Sequence, residues 1–380
     1  MEEISNIHMV AGAGFVLAMF FGAIANKTNF CTMGAISDWV NMGSTGRLGA
    51  WVLAMGIAVA GTLMLEMTGL VDITSSIYRT ANFGIGGYVF GGLLFGVGMT
   101  LSGGCGQRTL VRVGTGNLKA LVVFMVMGLS AYMTLRGILG VVRLEIFEPM
   151  SVDLTTQGIE EQGLAAVGSQ WFGLELTSTL RWLVGGIVAS LLLLWSLSRK
   201  ALREDSDNLL AGVSIGLIVV GSWVITGYLG LDDFDPVPVE GFTFVAPTGN
   251  TISYLMTYTG ATISFGVAAV FGMITGSFFY ALFTRTLAIE TFTDRQDMIN
   301  HLLGGLFMGF GGVLSLGCTI GQAVSGISTL ALGSFIVALS IIAGSVATMR
   351  FQYHRMDEMS TLGALGVSIT DTLMPWRMKD

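Results

Sequence analysis

Nine runs of apolar residues, separated by polar or glycine-rich stretches, dominate this sequence. They cover roughly residues 9–25, 48–70, 83–101, 118–139, 180–197, 209–229, 260–283, 301–316 and 330–349. Runs of this length can cross about 30 Å of hydrocarbon as helices. Only 11% of the 380 residues are charged, against about 25% in a soluble domain. The sequence therefore predicts an all-α, polytopic membrane protein with about nine spans plus short re-entrant half-helices.

Two of the runs, 83–101 and 301–316, are short and punctuated by glycine. Hydropathy alone does not separate a short span from a hairpin that enters the bilayer and turns back. These two runs could be half-helices that enter the bilayer and turn back, or short spans, and the sequence leaves both alternatives open.

An internal repeat relates the two halves of the chain. Residues 91–105 and 304–318 are identical at nine of fifteen positions, and both stretches end in a cysteine, Cys105 or Cys318. An odd number of spans separates the two copies, which predicts an inverted internal repeat, as in many transporters. We expect one transmembrane domain over 1–380, with repeat 1 at about 47–140 and repeat 2 at about 260–350. An N-terminal span with the Cys31 motif would cover 1–46, and connecting spans 141–259.

The distribution of charge predicts an orientation. Arg199, Lys200 and Arg203 crowd one short loop, whereas the connection over 145–175 carries six acidic residues and no basic one. Because basic loops stay in the cytoplasm, we expect the N-terminus outside and the C-terminus inside. The acidic first residues are unlike a cleavable signal, so the expected location is the cell inner (plasma) membrane. Residues 362–373 could form a short interfacial helix.

All three cysteines lie where an apolar run gives way to a small, polar stretch: Cys31, Cys105 and Cys318. Backbone that leaves a helix inside a bilayer must line a cavity or be satisfied by protein. A helix that starts just after such a break points free N–H groups and a positive dipole end into the cavity, which favours an anion. A neutral thiol adds a weak, polarisable donor that suits a soft sulfur atom. The alternative to a role in anion binding is that the three cysteines are buried and inert, and act only as small apolar residues.

The residues around the cysteines are the other candidates for contact with an anion. The predicted substrate-binding set is Cys31, Cys105, Cys318, Gly104, Gly106, Gln107, Gly317, Thr319, Gln322 and Arg108. Gln107 and Gln322 offer amide donors, although a solvated role is equally open. Arg108 and Arg112 could attract anions or simply anchor the chain on the cytoplasmic side, and Asn29 and Asn117 could cap the helices that follow them.

Several classes of function find no support. There is no HExxH motif, no phosphate-binding loop motif and no CxxC pair, and each of these carries specific chemistry. The three histidines are scattered. We therefore expect no metal, no cofactor, no catalytic residue and no nucleic-acid partner. The sequence predicts a transporter in the lipid bilayer rather than an enzyme. A membrane sulfurtransferase is the less favoured alternative, and a structural scaffold the least.

The stretch 104–119 (GCGQRTLVRVGTGNLK) resembles the YeeE/YedE family of sulfur-transport membrane proteins. Residues 29–38, and 317–321 with Ser325 and Gly326, resemble the other cysteine motifs of that family. The resemblance covers most of the chain. It implies thiosulfate uptake through a pathway at the membrane centre, with Cys31, Cys105 and Cys318 as the thiols that contact the substrate through S–H···S hydrogen bonds.

The resemblance also implies a partner protein. It leaves open whether the substrate is a sulfur or a selenium compound. A cytoplasmic TusA-like sulfur-carrier protein is the expected partner, here as a separate chain. Some relatives are associated with selenium, and a selenium-containing compound is the alternative substrate, because sulfur and selenium anions are alike in size and softness.

Overall fold

A computed structural model of the chain describes residues 6–173, 175–232, 236–356, 367, 368, 370 and 372; the interfacial helix predicted over 362–373 falls largely outside these residues. The described part is almost entirely helical. The helices, in order, are α1 (Asn6–Lys27), α2 (Thr32–Met42), α3 (Gly46–Met67), α4 (Ile85–Leu101), α5 (Gly106–Gly114), α6 (Leu118–Arg136), α7 (Leu139–Val142), α8 (Leu164–Phe172), α9 (Ser178–Ser198), α10 (Lys200–Arg203), α11 (Ser206–Val224), α12 (Val245–Met256), α13 (Phe265–Thr284), α14 (Arg295–Leu314) and α15 (Leu332–Met356).

Short irregular elements complete the fold. The π-helical segments are Arg143–Phe147, Ile225–Leu229 and Gly321–Gly326, and 3₁₀ turns lie at Ile73–Ser75, Glu148–Met150, Leu154–Gln157 and Tyr258–Gly260. Two-residue strands β1 (Asn82–Phe83) and β2 (Val152–Asp153) pair antiparallel, with Phe83 opposite Val152. They tie the loop before α4 to the loop after α7.

Eight helical segments of the described chain are long and apolar enough to cross a membrane. They confirm the prediction of an all-α polytopic membrane protein. The eighth predicted run, 301–316, is present as α14, a helix of 20 residues, but it does not satisfy the same criterion of length and hydropathy. The reason is its polar first half, which contains Arg295, Asp297, Asn300 and His301.

The two runs that the sequence left open as half-helices or short spans form full-length helices. Helix α4 has 17 residues and α14 has 20, lengths within the range of membrane spans. Two shorter helices begin directly after cysteines instead: α2 with 11 residues and α5 with nine. Hydropathy misplaced the short elements because a short polar helix that follows a break resembles a loop.

Helices α4 and α14 cross antiparallel at glycines. A Cβ atom on Gly98 would lie 2.7 Å from the carbonyl oxygen of Gly304, and one on Gly91 would lie 2.7 Å from that of Gly311. In the repeat alignment Gly91 corresponds to Gly304, and Gly98 corresponds to Gly311. Gly98 thus contacts the counterpart of Gly91, and Gly91 contacts the counterpart of Gly98. Two copies related by a two-fold rotation contact each other in this way.

The outer helices pair in a corresponding way. Helix α1 runs parallel to α13, with Gly14 near Phe265 and Gly22 near Met273, while α11 runs parallel to α3, with Gly212 near Ala50. These contacts indicate an equivalence of α1 with α11 that reaches beyond the predicted repeats. The boundaries at 47–140 and 260–350 stay a prediction.

One end of the helix bundle gathers basic side chains, and we call it the basic end: Lys27, Arg47, Lys119, Lys200 and Arg203. Lys27 pairs with Asp207 at the start of α11 at 3.9 Å, Gly46 packs against Ala201, and Lys119 pairs with Asp297 at 2.7 Å. The opposite end carries the loop between α3 and α4 and the segment that precedes α9.

The close approach of α1 to α13 gives a test of the packing. A methyl group added at Gly276 would overlap the backbone carbonyl of Met19, whereas Gly186 in α9 has no neighbour within 4 Å of such a group. Gly276→Ala should lower the unfolding free energy by about 2 kcal/mol or more, since overpacking against backbone forces the helices apart. The measurement is thermal unfolding in detergent.

Gly186→Ala is the matched control, because alanine stabilises a helix by up to about 1 kcal/mol relative to glycine. It should leave the melting temperature unchanged or raise it. Equal melting temperatures for Gly276→Ala and wild type would contradict the close helix contact.

Candidate functional site

The three cysteines follow helix ends of the same geometry. Two residues before each cysteine the backbone is left-handed, with φ of 51° at Asn29, 67° at Gly103 and 57° at Leu316. The residue after each of these donates its N–H to the carbonyl five positions earlier, at 3.2, 2.9 and 2.8 Å. This is the hydrogen bond of a Schellman motif. It ends α1, α4 and α14 in the same way.

A hydroxyl stabilises each of these ends. Three residues before each cysteine stands Thr28, Ser102 or Ser315, and its side chain donates to the carbonyl one turn earlier at 2.8 to 2.9 Å. We call the segments 28–34, 102–108 and 315–321 the cysteine breaks. Because their backbone groups are bonded internally, a helix can end there without exposing polar groups to lipid.

Each cysteine stands directly before a new helical segment: α2, α5 or the stretch 319–328. The thiols of Cys31 and Cys318 accept hydrogen bonds from the N–H of Gly34 and of Gly321 at 3.5 and 3.4 Å. The thiol of Cys105 instead approaches Oε1 of Gln107 at 3.8 Å. The expectation that a helix starts at each break is met, and Asn29, expected to cap α2, is replaced in that role by Cys31.

The breaks converge inside the protein. The thiols of Cys31 and Cys105 interact with each other, and the side chain of Thr319 lies next to the thiol of Cys105. Cys318 thus joins the group through its neighbour Thr319. The relative exposure of the three cysteines is 8%, 0% and 0%, so the structure closes the thiols off from solvent.

Arg108 lies beside this group and is partly exposed. Its Nη2 donates to Oδ1 of Asn29 at 2.7 Å, while its Nη1 is buried without a partner. The guanidinium is also close enough to Cys31 and Cys105 to interact with them electrostatically. A cation therefore connects two of the three breaks, at the edge that faces Arg112 and Arg47.

The two predicted glutamines differ. Gln107 is fully buried and its Nε2 has no partner, so it has donors to offer. Gln322 donates to the carbonyl of Ser315 at 2.5 Å and accepts from Ser334 at 2.6 Å, which occupies both ends of the amide. Gln322 holds the Cys318 break in shape here, and its contact with substrate stays a prediction.

The predicted glycines are positions with little room for a side chain. A Cβ atom on Gly104 would lie 3.2 Å from Arg108, and one on Gly317 would lie 3.1 Å from Gln322. Gly106 faces the thioether of Met127 and the side chain of Val245, both at 3.5 Å. The absence of a side chain at Gly104 and Gly317 lets the side chains of Arg108 and Gln322 pack directly against the backbone of the breaks.

The family model described as sulphur transport matches residues 27–347, a range that contains all three cysteine breaks. The chain belongs to the sulphur transport family. Among curated proteins, it is 27% identical over 255 residues to the thiosulfate transporter TsuA of Spirochaeta thermophila, covering 65% of this chain and 72% of that protein. It is 31% identical over 112 residues to the thiosulfate transporter TsuA of Escherichia coli strain K12, covering 30% of each.

A buried ion network in this member of the sulphur transport family was missed by the sequence reasoning. Arg79 contacts Glu66 at 3.0 Å and Glu161 at 3.1 Å, and Arg181 contacts the same two carboxylates at 3.1 and 2.9 Å. Arg79 also donates through Nε to the carbonyl of Thr329 at 2.7 Å. The network therefore fixes the far end of the helical stretch that begins at Cys318. Its members come from separate loops and helices, so no local pattern reveals it.

Two cavities lie at opposite ends of the helix bundle, and the first of them reaches Ser102 of a cysteine break. One of about 190 Å³ lies near the basic end and is lined by Ser102, Thr109, Arg112, Asn117, Lys119, Ala120, Val123, Glu290 and His301. The other, of about 570 Å³, lies at the ion network and includes Arg79, Glu161 and Arg181 in its wall.

Asn117 caps α6, as expected, because its side chain accepts a hydrogen bond from the N–H of Ala120. Among the described residues, no cluster of histidine, cysteine and acidic side chains could hold a metal ion.

The ion network gives a test of stability. Arg79→Met would leave Glu66 and Glu161 buried with only the more exposed Arg181 as a partner. Removing one partner from a buried ion pair costs about 3–5 kcal/mol, so the melting temperature should fall strongly. Lys200→Met is the control, because the Lys200–Glu204 pair is exposed and pairs of that kind contribute at most about 1 kcal/mol. Similar small effects in both variants would contradict a buried network.

A second test concerns Glu240, whose backbone is bonded to Thr226. Burial raises the pKa of Glu240 from 4.5 to about 7. The folded protein thus holds this proton more tightly than the unfolded chain, and its stability falls as the pH rises through about 4.5 to 7. Glu240→Gln should remove this contribution. Between about pH 5 and pH 8, the melting temperature of the variant should fall less than that of wild type; equal falls would show that the carboxyl is solvated.

Proposed function

We propose that this chain takes up thiosulfate, or a closely related soft sulfur anion, along a central pathway that passes Cys318, Cys105 and Cys31. The observation that carries the proposal is the convergence of three cysteine breaks of one geometry on a buried centre, with thiols at the starts of new helices. The relatives named thiosulfate transporters support the choice of anion.

The chemistry of the centre suits such an anion. Each helix start presents free N–H groups and the positive end of a dipole, which offset the loss of water around a negative charge. The thiols stay neutral and donate S–H to the terminal sulfur of the anion, since a thiolate would repel it. Neighbouring thiols, such as Cys31 and Cys105, allow the anion to move from one donor to the next. Transport then needs no covalent step, and the protein acts as a transporter and not as an enzyme.

The direction of transport follows from the charges at the two ends. With the basic end in the cytoplasm, the N-terminus is outside and the C-terminus inside, in the inner (plasma) membrane. The anion then meets the Cys318 break first, passes Cys105 and Cys31, and leaves beside Arg108 and Arg112. A separate cytoplasmic carrier of the TusA type would receive it at this face.

The deciding experiment replaces the central thiol. Cys105→Ala should lower the uptake of ³⁵S-thiosulfate into proteoliposomes at least tenfold, because a hydrogen bond to a charged group contributes about 1.5–3 kcal/mol. Met127→Leu is the matched control: Met127 is fully buried next to Gly106 but its thioether has no S–H to donate. It should transport like wild type.

Two results would count against the proposal. Uptake by Cys105→Ala at the wild-type rate would show that this thiol is not on the pathway. Recovery of sulfite or of a persulfide on Cys31 in place of intact thiosulfate would point to a sulfurtransferase.

A further inference from the structure

Several buried polar groups in or beside the cysteine breaks make no hydrogen bond. Besides Oγ1 of Thr32 and Nη1 of Arg108, they include Oγ1 of Thr319, Nε2 of Gln107 and Oγ1 of Thr243. Thr319 and Gln107 are fully buried. An unpartnered buried donor costs about 1–3 kcal/mol, and such groups are rare in native proteins and require an explanation.

Gln107 and Thr319 lie within cysteine breaks, and Thr243 lies beside one. Thr319 borders the thiol of Cys105, and Gln107 accepts from the same thiol through Oε1. Thr243 lies in the segment before α12, with its hydroxyl oxygen 2.5 Å from where a Cβ atom on Gly321 would lie. The N–H of Gly321 is bonded to the thiol of Cys318. Thr243 and Cys318 therefore flank the same glycine.

Other buried threonines show the usual alternative. Thr134, Thr248 and Thr251 each donate to the carbonyl four residues earlier, at 2.5 to 2.7 Å, as threonines inside helices commonly do. Thr319 opens a helical stretch and Thr243 precedes one, so neither has a helical carbonyl one turn behind it. The breaks thus leave hydroxyls free directly beside thiols.

We propose that Thr243, Thr319 and Gln107 donate hydrogen bonds to the oxygen atoms of the passing anion while the adjacent thiols bind its terminal sulfur. This inference rests on the proposed function and specifies the substrate class: an anion with a soft sulfur at one end and oxygens at the other. Oxygen atoms are the better acceptors for O–H and N–H, and the polarisable sulfur suits the weak S–H donor. An anion with only one kind of end leaves either the thiols or the hydroxyls unpaired.

The pairing also orders the path. Thr243 with Cys318 forms one pair of donors, and Thr319 and Gln107 with Cys105 form the next. Thr319 is the residue directly after Cys318 in the chain, so its hydroxyl lies between the two thiols. The anion can move from one pair to the next while it keeps contacts of both kinds.

The test uses shape-matched variants, Thr319→Val and Thr243→Val. Each removes an unpartnered hydroxyl, so the melting temperature in detergent should be unchanged or higher. The KM for thiosulfate in proteoliposomes should nevertheless rise about tenfold or more. Thr319→Ser and Thr243→Ser keep the hydroxyl and should stay close to wild type.

Thr134→Val is the matched control. It removes a hydroxyl that is already bonded within α6, so it should lower the melting temperature and leave the KM unchanged. Thr319→Val should raise the KM without lowering the melting temperature, and Thr134→Val should lower the melting temperature without raising the KM. This contrast distinguishes a hydroxyl that donates to the substrate from a structural hydroxyl.

The outcomes separate this inference from the function it rests on. Wild-type proteoliposomes that take up no thiosulfate would overturn the proposed function and this inference together. Uptake that is normal in wild type and in both valine variants would overturn this inference alone, as would a loss of uptake that follows a lower melting temperature. A higher KM with preserved stability, restored by serine, supports it.

Discussion

The structure depends on one constraint: where a helix ends inside a bilayer, its last backbone carbonyls must still be hydrogen-bonded. The three cysteine breaks meet it with the same local bonds, a left-handed residue, a Schellman hydrogen bond and a hydroxyl donated one turn back. These bonds are made within each segment. The protein can therefore place helix starts in its interior without support from lipid or from bulk water.

The ends of the helices before the breaks are satisfied locally, which leaves the N–H groups at the starts of the next helices and several side chains. Those side chains include the thiols, the hydroxyls of Thr32, Thr243 and Thr319, the amide of Gln107 and one side of the Arg108 guanidinium. All are donors. Under the proposed function, these donors would replace the water around the anion without adding a fixed negative charge.

The sequence predicted the architecture well because its signals are local. Apolar runs determine spans, and the identities between 91–105 and 304–318 disclosed the repeat. It misplaced the short helices, since α2 and α5 are too polar and too brief to stand out. It could not show that Asn29 adopts a left-handed conformation and accepts from Arg108, that Gln322 is occupied by Ser315 and Ser334, or that Arg79 is buried among carboxylates. Those contacts join residues distant in sequence or depend on backbone angles.

The crossing of α4 and α14 has a mechanical consequence. Their backbones touch at Gly91, Gly98, Gly304 and Gly311, and sliding either helix by a residue would bring side chains such as Leu93 or Phe310 into a gap that admits only hydrogen. The contact therefore fixes the positions of α4 and α14 along each other. Because Cys105 and Cys318 follow the ends of these two helices, the same contact also sets the spacing of their two thiols.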